Sequence, residues 1–323
     1  MPGHRIHCQC WPRALNVLLA GWIAAALVGC AADPERNTTA AKAHVAKMVS
    51  ALEAQGDADS LAAAALIGEW VSPARGLELI ARAASQAPNR ADLAWLNVSL
   101  CRVVSDCDPT PLEAHMRAID PTNGAGWLGP LGRAAERNDG EERVRALGAL
   151  GRTERFDVYW ISSIRQASLA IERLHKWPAP ESVVSVIGGM AAVVLPAYQY
   201  ASRSCKGEAL EQSEVLAACR GVARSLMRGD TYLTEMMGIA IGKRVWAADS
   251  EEGLRIREEE RKQRYRMTAW GKLIPRQTFT NGWAKQYLEF TATVTTEQDL
   301  AAAELLRAGV PVDPPTKAAD APT

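Results

Sequence analysis

Apolar side chains recur at intervals of three and four residues along most of the chain after its first sixty positions, which is the spacing of one helix face. Signals for helix starts accompany the pattern. Ser72 precedes Pro73, as an N-cap precedes a proline at the first helical position. Thr110 and Glu113 have the spacing of a capping box around Pro111. The pattern therefore predicts an all-α fold with helices that begin near Pro73 and Pro111.

Short turn segments separate these helices. Residues 138–140, Asn-Asp-Gly, are typical of a tight turn between two helices, and residues 120–124, Asp-Pro-Thr-Asn-Gly, break the chain before another helix. The result is a series of antiparallel helical hairpins. A two-helix hairpin of this size cannot bury its apolar face alone, so we expect the hairpins to stack.

Tryptophans recur within this series at intervals of 32 and 33 residues, at Trp95, Trp127 and Trp160. Pro88 and Pro121 repeat the interval at 33. The pattern resembles the tetratricopeptide repeat, a pair of helices of 34 residues with a bulky aromatic early in the first helix and a proline closing the second. The resemblance covers about residues 58–175 and implies a solenoid with a concave binding surface. The alternative is a generic helical bundle whose evenly spaced tryptophans pack in its core.

The segment 183–195 carries no charge and is too short to cross a membrane, which takes about 20 residues. It predicts a helix buried on all sides, in which Gly188 and Gly189 let a neighbouring helix approach closely and which Pro196 ends or kinks.

Three further helices are expected in the C-terminal half. They are a helix capped by Asp230-Thr231 that runs to about Trp246, a strongly charged helix over residues 253–270, and a last helix over 296–308 that stops at Gly309. In the charged helix, Glu258 with Lys262 and Glu260 with Arg264 have favourable ion-pair spacing. An aromatic stripe predicts one more helix with a core-facing side: Phe279, Trp283, Tyr287 and Phe290.

The first residues have the layout of a secretory signal, with Arg5 and Arg13 ahead of an uncharged, apolar stretch over 14–29. A membrane-spanning helix is the alternative, but the stretch is short and is interrupted by Asn16 and Gly21.

Residues 27–30, Leu-Val-Gly-Cys, follow this stretch directly and resemble the lipobox of bacterial lipoproteins. The resemblance implies cleavage before Cys30 and lipidation of its thiol, with three acyl chains, palmitate among them, that hold the protein at a membrane. Ala31, rather than Asp, follows the cysteine, which by the same resemblance favours the outer membrane, facing the periplasm.

The expected organisation has five parts. They are a signal peptide (1–29), the lipidated cysteine with a tether to about Ala40 and a first helix (30–57), tetratricopeptide-like repeats (58–175), a C-terminal helical region (176–309) and a disordered tail (310–323).

Four cysteines remain besides Cys30 once the leader, with Cys8 and Cys10, is removed: Cys101, Cys107, Cys205 and Cys219. An oxidising periplasm favours two disulfides, with three possible connectivities, of which the pairing of sequence neighbours needs the shortest loops. Neither pair has the gap of two to four residues found in zinc sites.

Charge and motifs narrow the function classes. The 37 basic and 37 acidic side chains balance, which argues against a nucleic-acid partner. His44, His115 and His175 have no metal-ligand spacing, and neither a Gly-x-Ser-x-Gly elbow nor a phosphate-binding Gly-rich loop is present. We therefore expect no catalytic residue, metal or cofactor.

The leading hypothesis is a non-enzymatic, lipid-anchored helical-repeat protein that binds an envelope protein or peptide. The alternative is a periplasmic immunity or inhibitor lipoprotein directed against a secreted toxin or a cell-wall hydrolase. A remote alternative is a peptidoglycan-active enzyme, because Glu181-Ser182 is similar to the catalytic Glu-Ser of lytic transglycosylases. Gly188-Gly189-Met190 follows too soon for that family, and Ala191 stands where it has Gln.

A Cys30→Ser substitution tests the anchor. Without the thiol there is no acceptor for the lipid, so we expect the protein to move from the membrane fraction to the soluble envelope fraction. Fractionation and immunoblotting measure this, with Cys8→Ser as the control that leaves the distribution unchanged. Membrane fractionation of the Cys30→Ser protein like that of the wild type would contradict lipidation at this residue.

Overall fold

Helices make up the regular structure of the residues that the computed structural model describes, which are 34–68, 72–175, 179–193, 197–274 and 279–315. Within these ranges there are fifteen α-helices and no strand, so the all-α class is confirmed. The predicted signal peptide and Cys30 lie outside the described residues. No helix in the described ranges is both long and apolar enough to span a membrane.

The helices, in chain order, are α1 (Pro34–Gln55), α2 (Ala58–Gly68), α3 (Pro73–Gln86), α4 (Ala91–Cys101), α5 (Thr110–Ile119), α6 (Leu128–Glu136), α7 (Gly140–Gly151), α8 (Trp160–Glu172), α9 (Ala179–Val193), α10 (Tyr198–Ser204), α11 (Ser213–Met227), α12 (Tyr232–Val245), α13 (Glu251–Leu273), α14 (Asn281–Thr291) and α15 (Glu297–Arg307). Two short 3-10 helices, Gly124–Trp127 and Gly207–Glu211, lie between them.

Side-chain caps fix most of the predicted helix starts. Ser72, Asp139, Thr231 and Thr296 each accept a hydrogen bond from a backbone N–H in the first turn of the helix that follows. Gly309, just beyond α15, has a φ of +70°, as expected of a glycine that ends a helix. The predicted boundaries at these positions are confirmed.

The predicted capping box around Pro111 is wrong. The backbone N–H of Thr110 donates instead to Oδ1 of Asp108, at 2.9 Å. Glu113 is fully buried, and its carboxylate pairs with the guanidinium groups of Arg102 and Arg133 at 2.9 and 2.6 Å. Two charge-assisted hydrogen bonds thus outcompete the single bond that the box would have given Glu113.

The predicted tether to about Ala40 is also wrong, because α1 begins at Pro34. A proline is well suited to the first position of a helix, where its missing N–H leaves no bond unmade. The other residues of the predicted tether, 31–33, lie outside the described residues.

The packing order follows the chain from α1 to α5, with each helix contacting the next. Two further contacts join helices that are distant in sequence: α8 packs on α2, and α7 packs on α11. Helix α8 also packs on α9, the next helix along the chain. Helix α2 therefore contacts α1, α3, α8 and α9, and every residue from Ser60 to Gly68 is buried. A run of four alanines in this helix, residues 62–65, lets several neighbours approach at once.

Helix α9 is buried along one face rather than on all sides. Val183, Val186 and Met190 are fully buried, whereas Ile187 is only partly so. A Cβ on Gly189 would lie 2.8 Å from the carbonyl oxygen of Leu66, which confirms the expected close approach of a neighbour.

The aromatic predictions hold. Trp95 is fully buried, and Trp127 and Trp160 are partly buried against the core. In the stripe along α14, the ring of Trp283 contacts those of Phe279 and Tyr287. Trp283, Tyr287 and Phe290 pack in or against the core, as expected.

Ion pairs along the charged helix α13 differ in part from the prediction. Glu260 pairs with Arg264 at 3.1 Å as predicted. Glu258 pairs with Arg261 instead of Lys262, because the closer i,i+3 arginine offers two donors to the carboxylate. Within the predicted tail, Arg266 of α13 donates to the carbonyl of Val312 and to Asp313, and residues 316–323 lie outside the described part.

Backbone contact joins α7 to α11. A Cβ on Gly221 would lie 2.2 Å from the carbonyl oxygen of Gly151, and one on Gly151 would lie 2.6 Å from that of Ala218. Only residues without a side chain allow this approach, so the two glycines set the spacing of the two helices.

A Gly221→Ala substitution should therefore lower the free energy of unfolding by about 1–3 kcal/mol, since the added methyl group must push two backbones apart. The matched control is Gly148→Ala in α7, where the Cβ would meet only the flexible end of Arg152 at 3.3 Å. That change should be neutral or stabilising by about 0.5–1 kcal/mol, because alanine is the better helix former. Urea unfolding measures both, and equal effects would contradict the contact.

Candidate functional site

An open cleft of about 390 Å³ lies between α6, α7, α10, α11 and the 3-10 helix Gly207–Glu211. Its floor is apolar, with Val144 and Leu147 from α7, Val215 from α11, and Ala135 and Ala209. Its rim is polar: Glu136, Arg143, Tyr200, Arg203, Ser204 and Gln212. We call it the arginine cleft, after Arg143 and Arg203.

Local sequence determines which side chains α7 and α10 direct toward the arginine cleft. Asn138 adopts a left-handed φ of 52° in the tight turn, and Asp139 caps α7 immediately after it. Because residues three and four apart share a helix face, the capped start directs Arg143, Val144 and Leu147 toward the same side of α7. On α10, Tyr200 and Arg203 are related in the same way.

A disulfide borders the cleft. Cys205 follows α10 directly and bonds to Cys219 of α11, with the two Cα atoms 5.6 Å apart. The loop that it closes contains the 3-10 helix with Ala209, which is one wall of the cleft. The disulfide therefore limits how far this wall can move from α11.

The carboxylate of Glu136 has a partner inside the cleft. Tyr200 Oη donates a hydrogen bond to it, and this bond raises the pKa of Tyr200. The ring of Tyr200 lies against α6, where a Cβ on Gly132 would be 2.9 Å from it. Tyr200 thus fixes both α10 and the position of the Glu136 carboxylate.

The two arginines of the cleft differ from most arginines of the described chain. Neither Arg143 nor Arg203 forms an ion pair or a side-chain hydrogen bond with any residue that the structure describes. Arg145, two positions along the same helix, is paired with both Glu141 and Glu142. Both cleft guanidiniums are exposed at the rim, so their donors are available to an anionic ligand.

The cysteines predicted as disulfides are paired as neighbours, Cys101 with Cys107 and Cys205 with Cys219. The local connectivity is thus the one found. Cys30, the predicted lipidation site, lies outside the described residues.

Glu181, the remote catalytic candidate, lies in the first turn of α9, with its Oε1 2.7 Å from Nε2 of His44 in α1. Both side chains are half-exposed, while the neighbouring Ser182 is fully buried. Glu181 is not among the residues that line the arginine cleft, so the Glu181–His44 pair does not belong to the cleft. Among the residues described, no group of three or more His, Cys, Asp or Glu side chains could hold a metal ion.

The sequence did not point to the arginine cleft. Arg143 and Arg203 are sixty residues apart, and each is an ordinary exposed arginine in its own helix. Only the packing of α6, α7, α10 and α11 brings them to one recess. Among the described residues neither forms an ion pair, which distinguishes them from paired arginines such as Arg145.

A second group of titratable side chains lies at the junction of α8, α12 and α15. Asp230 is buried and accepts from the backbone N–H groups of Val158 and Trp160, both at 2.9 Å. Glu297 accepts from the N–H of Tyr232 at 2.8 Å. Since both carboxylates are used to cap backbone at helix starts, we assign this group to the fold rather than to a ligand site.

Burial, reinforced by the charge of Asp157, raises the pKa of Asp230 to about 7. Burial, with Glu235 adding to it, raises the pKa of Glu297 to about 7 as well. In the unfolded chain both groups would titrate near their ordinary values of about 4. The folded state therefore binds more protons than the unfolded state across the intervening pH range.

From these shifts we expect stability to fall as pH rises from 5.5 to 8, since the extra stability is present below the unfolded pKa and is lost as pH passes the folded one. Urea midpoints at the two pH values measure it. Asp230→Asn should reduce the fall, and Glu258→Gln, an exposed partner of Arg261, should leave it unchanged. A midpoint that is higher at pH 8 than at pH 5.5 would contradict the raised pKa values.

No protein-family model matches the chain, and comparisons with curated proteins and with solved structures found no match.

Proposed function

We propose that the chain is a lipid-anchored, non-enzymatic helical protein of the bacterial cell envelope, and that it binds a protein or peptide partner through the arginine cleft. The observation that carries the proposal is the cleft with its two arginines, Arg143 and Arg203, which have no acidic partner among the described residues.

Further features support the proposal. The two disulfides suit an oxidising compartment such as the periplasm, where the lipobox-like residues 27–30 would place the mature chain, at the outer membrane. Consecutive contacts from α2 to α5 are those that a tetratricopeptide-like stack over residues 58–175 would make in that part of the chain. The cleft combines an apolar floor with a few polar groups at its rim, which is the usual composition of a binding site.

Site-specific photocrosslinking in living cells tests the proposal. The full chain is produced in its own host with the photoreactive amino acid benzoylphenylalanine at Gln212, an exposed position on the cleft rim. The matched control carries the same residue at Leu254 of α13, which is 55% exposed and outside the cleft.

A partner that occupies the cleft should give a discrete adduct from Gln212 on irradiation and none from Leu254. The adduct is detected by immunoblotting and its second component is identified by mass spectrometry. Adducts of equal intensity at the two positions, or no adduct at Gln212, would contradict partner binding in the cleft.

A further inference from the structure

The arginine cleft has the dimensions and chemistry for a particular kind of partner segment. We propose that it binds a short, extended acidic segment in which two carboxylates flank an apolar side chain. This inference deepens the proposed function and rests on it for the biological partner.

Size sets the first limit. A volume of about 390 Å³ is near the lower end of the range for ligand pockets, which is about 300–1,000 Å³. It can hold the side chains of two or three residues, but not an entire helix. The occupant is therefore a short stretch of extended chain.

Charge sets the second limit. Arg143 belongs to α7 and Arg203 to α10, so two guanidinium groups reach the cleft from separate helices. A planar guanidinium binds a carboxylate through two parallel hydrogen bonds. Two carboxylates on one segment would thus each meet a separate arginine.

The apolar floor of the cleft is the reason for the apolar side chain in the proposed segment. Leu147 and Val215 are buried and Val144 is partly buried, and all three line the cleft. An aliphatic side chain lying on this surface would remove apolar area from water. It would also place the carboxylates of its neighbours at the polar rim.

Glu136 favours this ligand over a phosphate. Its carboxylate lies in the cleft, held by the hydroxyl of Tyr200. A doubly charged phosphate would bring both of its charges to one point in the cleft beside Glu136, whereas the segment would place one carboxylate at each arginine. Glu136 is thus a specificity-determining residue that lowers affinity for all anions, and most for those whose charge is concentrated at one point.

Peptide binding to the purified full chain in detergent tests the inference. The probes are a fluorescein-labelled peptide, Gly-Asp-Leu-Asp-Gly, and its uncharged counterpart, Gly-Asn-Leu-Asn-Gly, and the measurement is fluorescence anisotropy. We expect the acidic peptide to bind at least tenfold more tightly. Arg143→Gln and Arg203→Gln should each weaken it by about tenfold or more, since hydrogen bonds to charged groups contribute about 1.5–3 kcal/mol.

Two further variants separate a specific site from general attraction. Arg145→Gln removes one positive charge from the same helix, outside the cleft, and should leave the affinity within twofold of the wild type. Glu136→Gln keeps an acceptor for Tyr200 but removes the negative charge, so it should strengthen binding of the acidic peptide several-fold. Because these side chains are at the surface, circular dichroism melting curves should be superimposable for all of them.

Several outcomes would overturn the inference. They are equal affinity for the two peptides, an Arg145→Gln effect as large as that of Arg143→Gln, and an unchanged affinity in Glu136→Gln. Displacement of the acidic peptide by inorganic phosphate at equal concentration would indicate a general anion site instead. Displacement by vesicles of anionic phospholipid, lost in Arg143→Gln, would indicate a lipid headgroup site.

The crosslinking experiment distinguishes this inference from the proposed function. If the Gln212 adduct forms equally in the Arg143→Gln, Arg203→Gln double variant, a partner binds but not through the arginines, and only the inference fails. If the acidic peptide binds as expected while no adduct forms in cells, the cleft has the proposed chemistry and the proposed function fails.

Discussion

The backbone contact between Gly151 of α7 and Gly221 of α11 is the constraint on which the spacing of these two helices and the shape of the arginine cleft depend. Each glycine occupies the space that a side chain on the other would need. The residues of α7 and α11 that line the arginine cleft, Leu147 and Val215 among them, precede the glycines in both helices. The spacing that the glycines impose is therefore also the spacing of two cleft walls, so a packing requirement and the shape of a binding site have one cause.

Buried carboxylates fix the packing at places where helices meet through their ends. Asp230, in the turn between α11 and α12, accepts both backbone donors at the start of α8, where Tyr159 has a left-handed backbone and gives no side-chain cap. Glu113 joins α5 to Arg102 and Arg133, and fills the space beside Gly129, where no Cβ would fit. Removing one partner from such a group leaves an uncompensated charge, so these residues specify which helix ends belong together.

Local sequence predicted local structure well. The cap at Ser72, the turn at residues 138–140, the stop at Gly309 and the aromatic side of α14 all depend on residues within one or two helical turns, and the sequence contains that information directly. The two disulfides were predictable for the same reason, because each closes a short loop.

Long-range packing was not predictable in this way. Nothing in the local pattern of α2 indicates that α8 and α9 will pack on it, although its uniformly apolar sequence is consistent with contacts on several sides. Glu113 shows how a distant pair of charges overrides a local signal. The arginine cleft could not be predicted from the sequence. Arg143 differs from Arg145 in the position of the surrounding carboxylates, and that position depends on the completed fold.

The early start of α1 at Pro34 has a mechanical consequence. Three residues, 31–33, can span at most about 11 Å even when fully extended, whereas a tether to Ala40 could have reached more than twice as far. With Cys30 acylated as proposed, so few residues would keep the start of α1 within that distance of the bilayer surface. This proximity also raises the effective concentration of the cleft toward anything confined to the same surface. A weak affinity for a short acidic segment would then suffice, because the membrane makes the encounter a search in two dimensions.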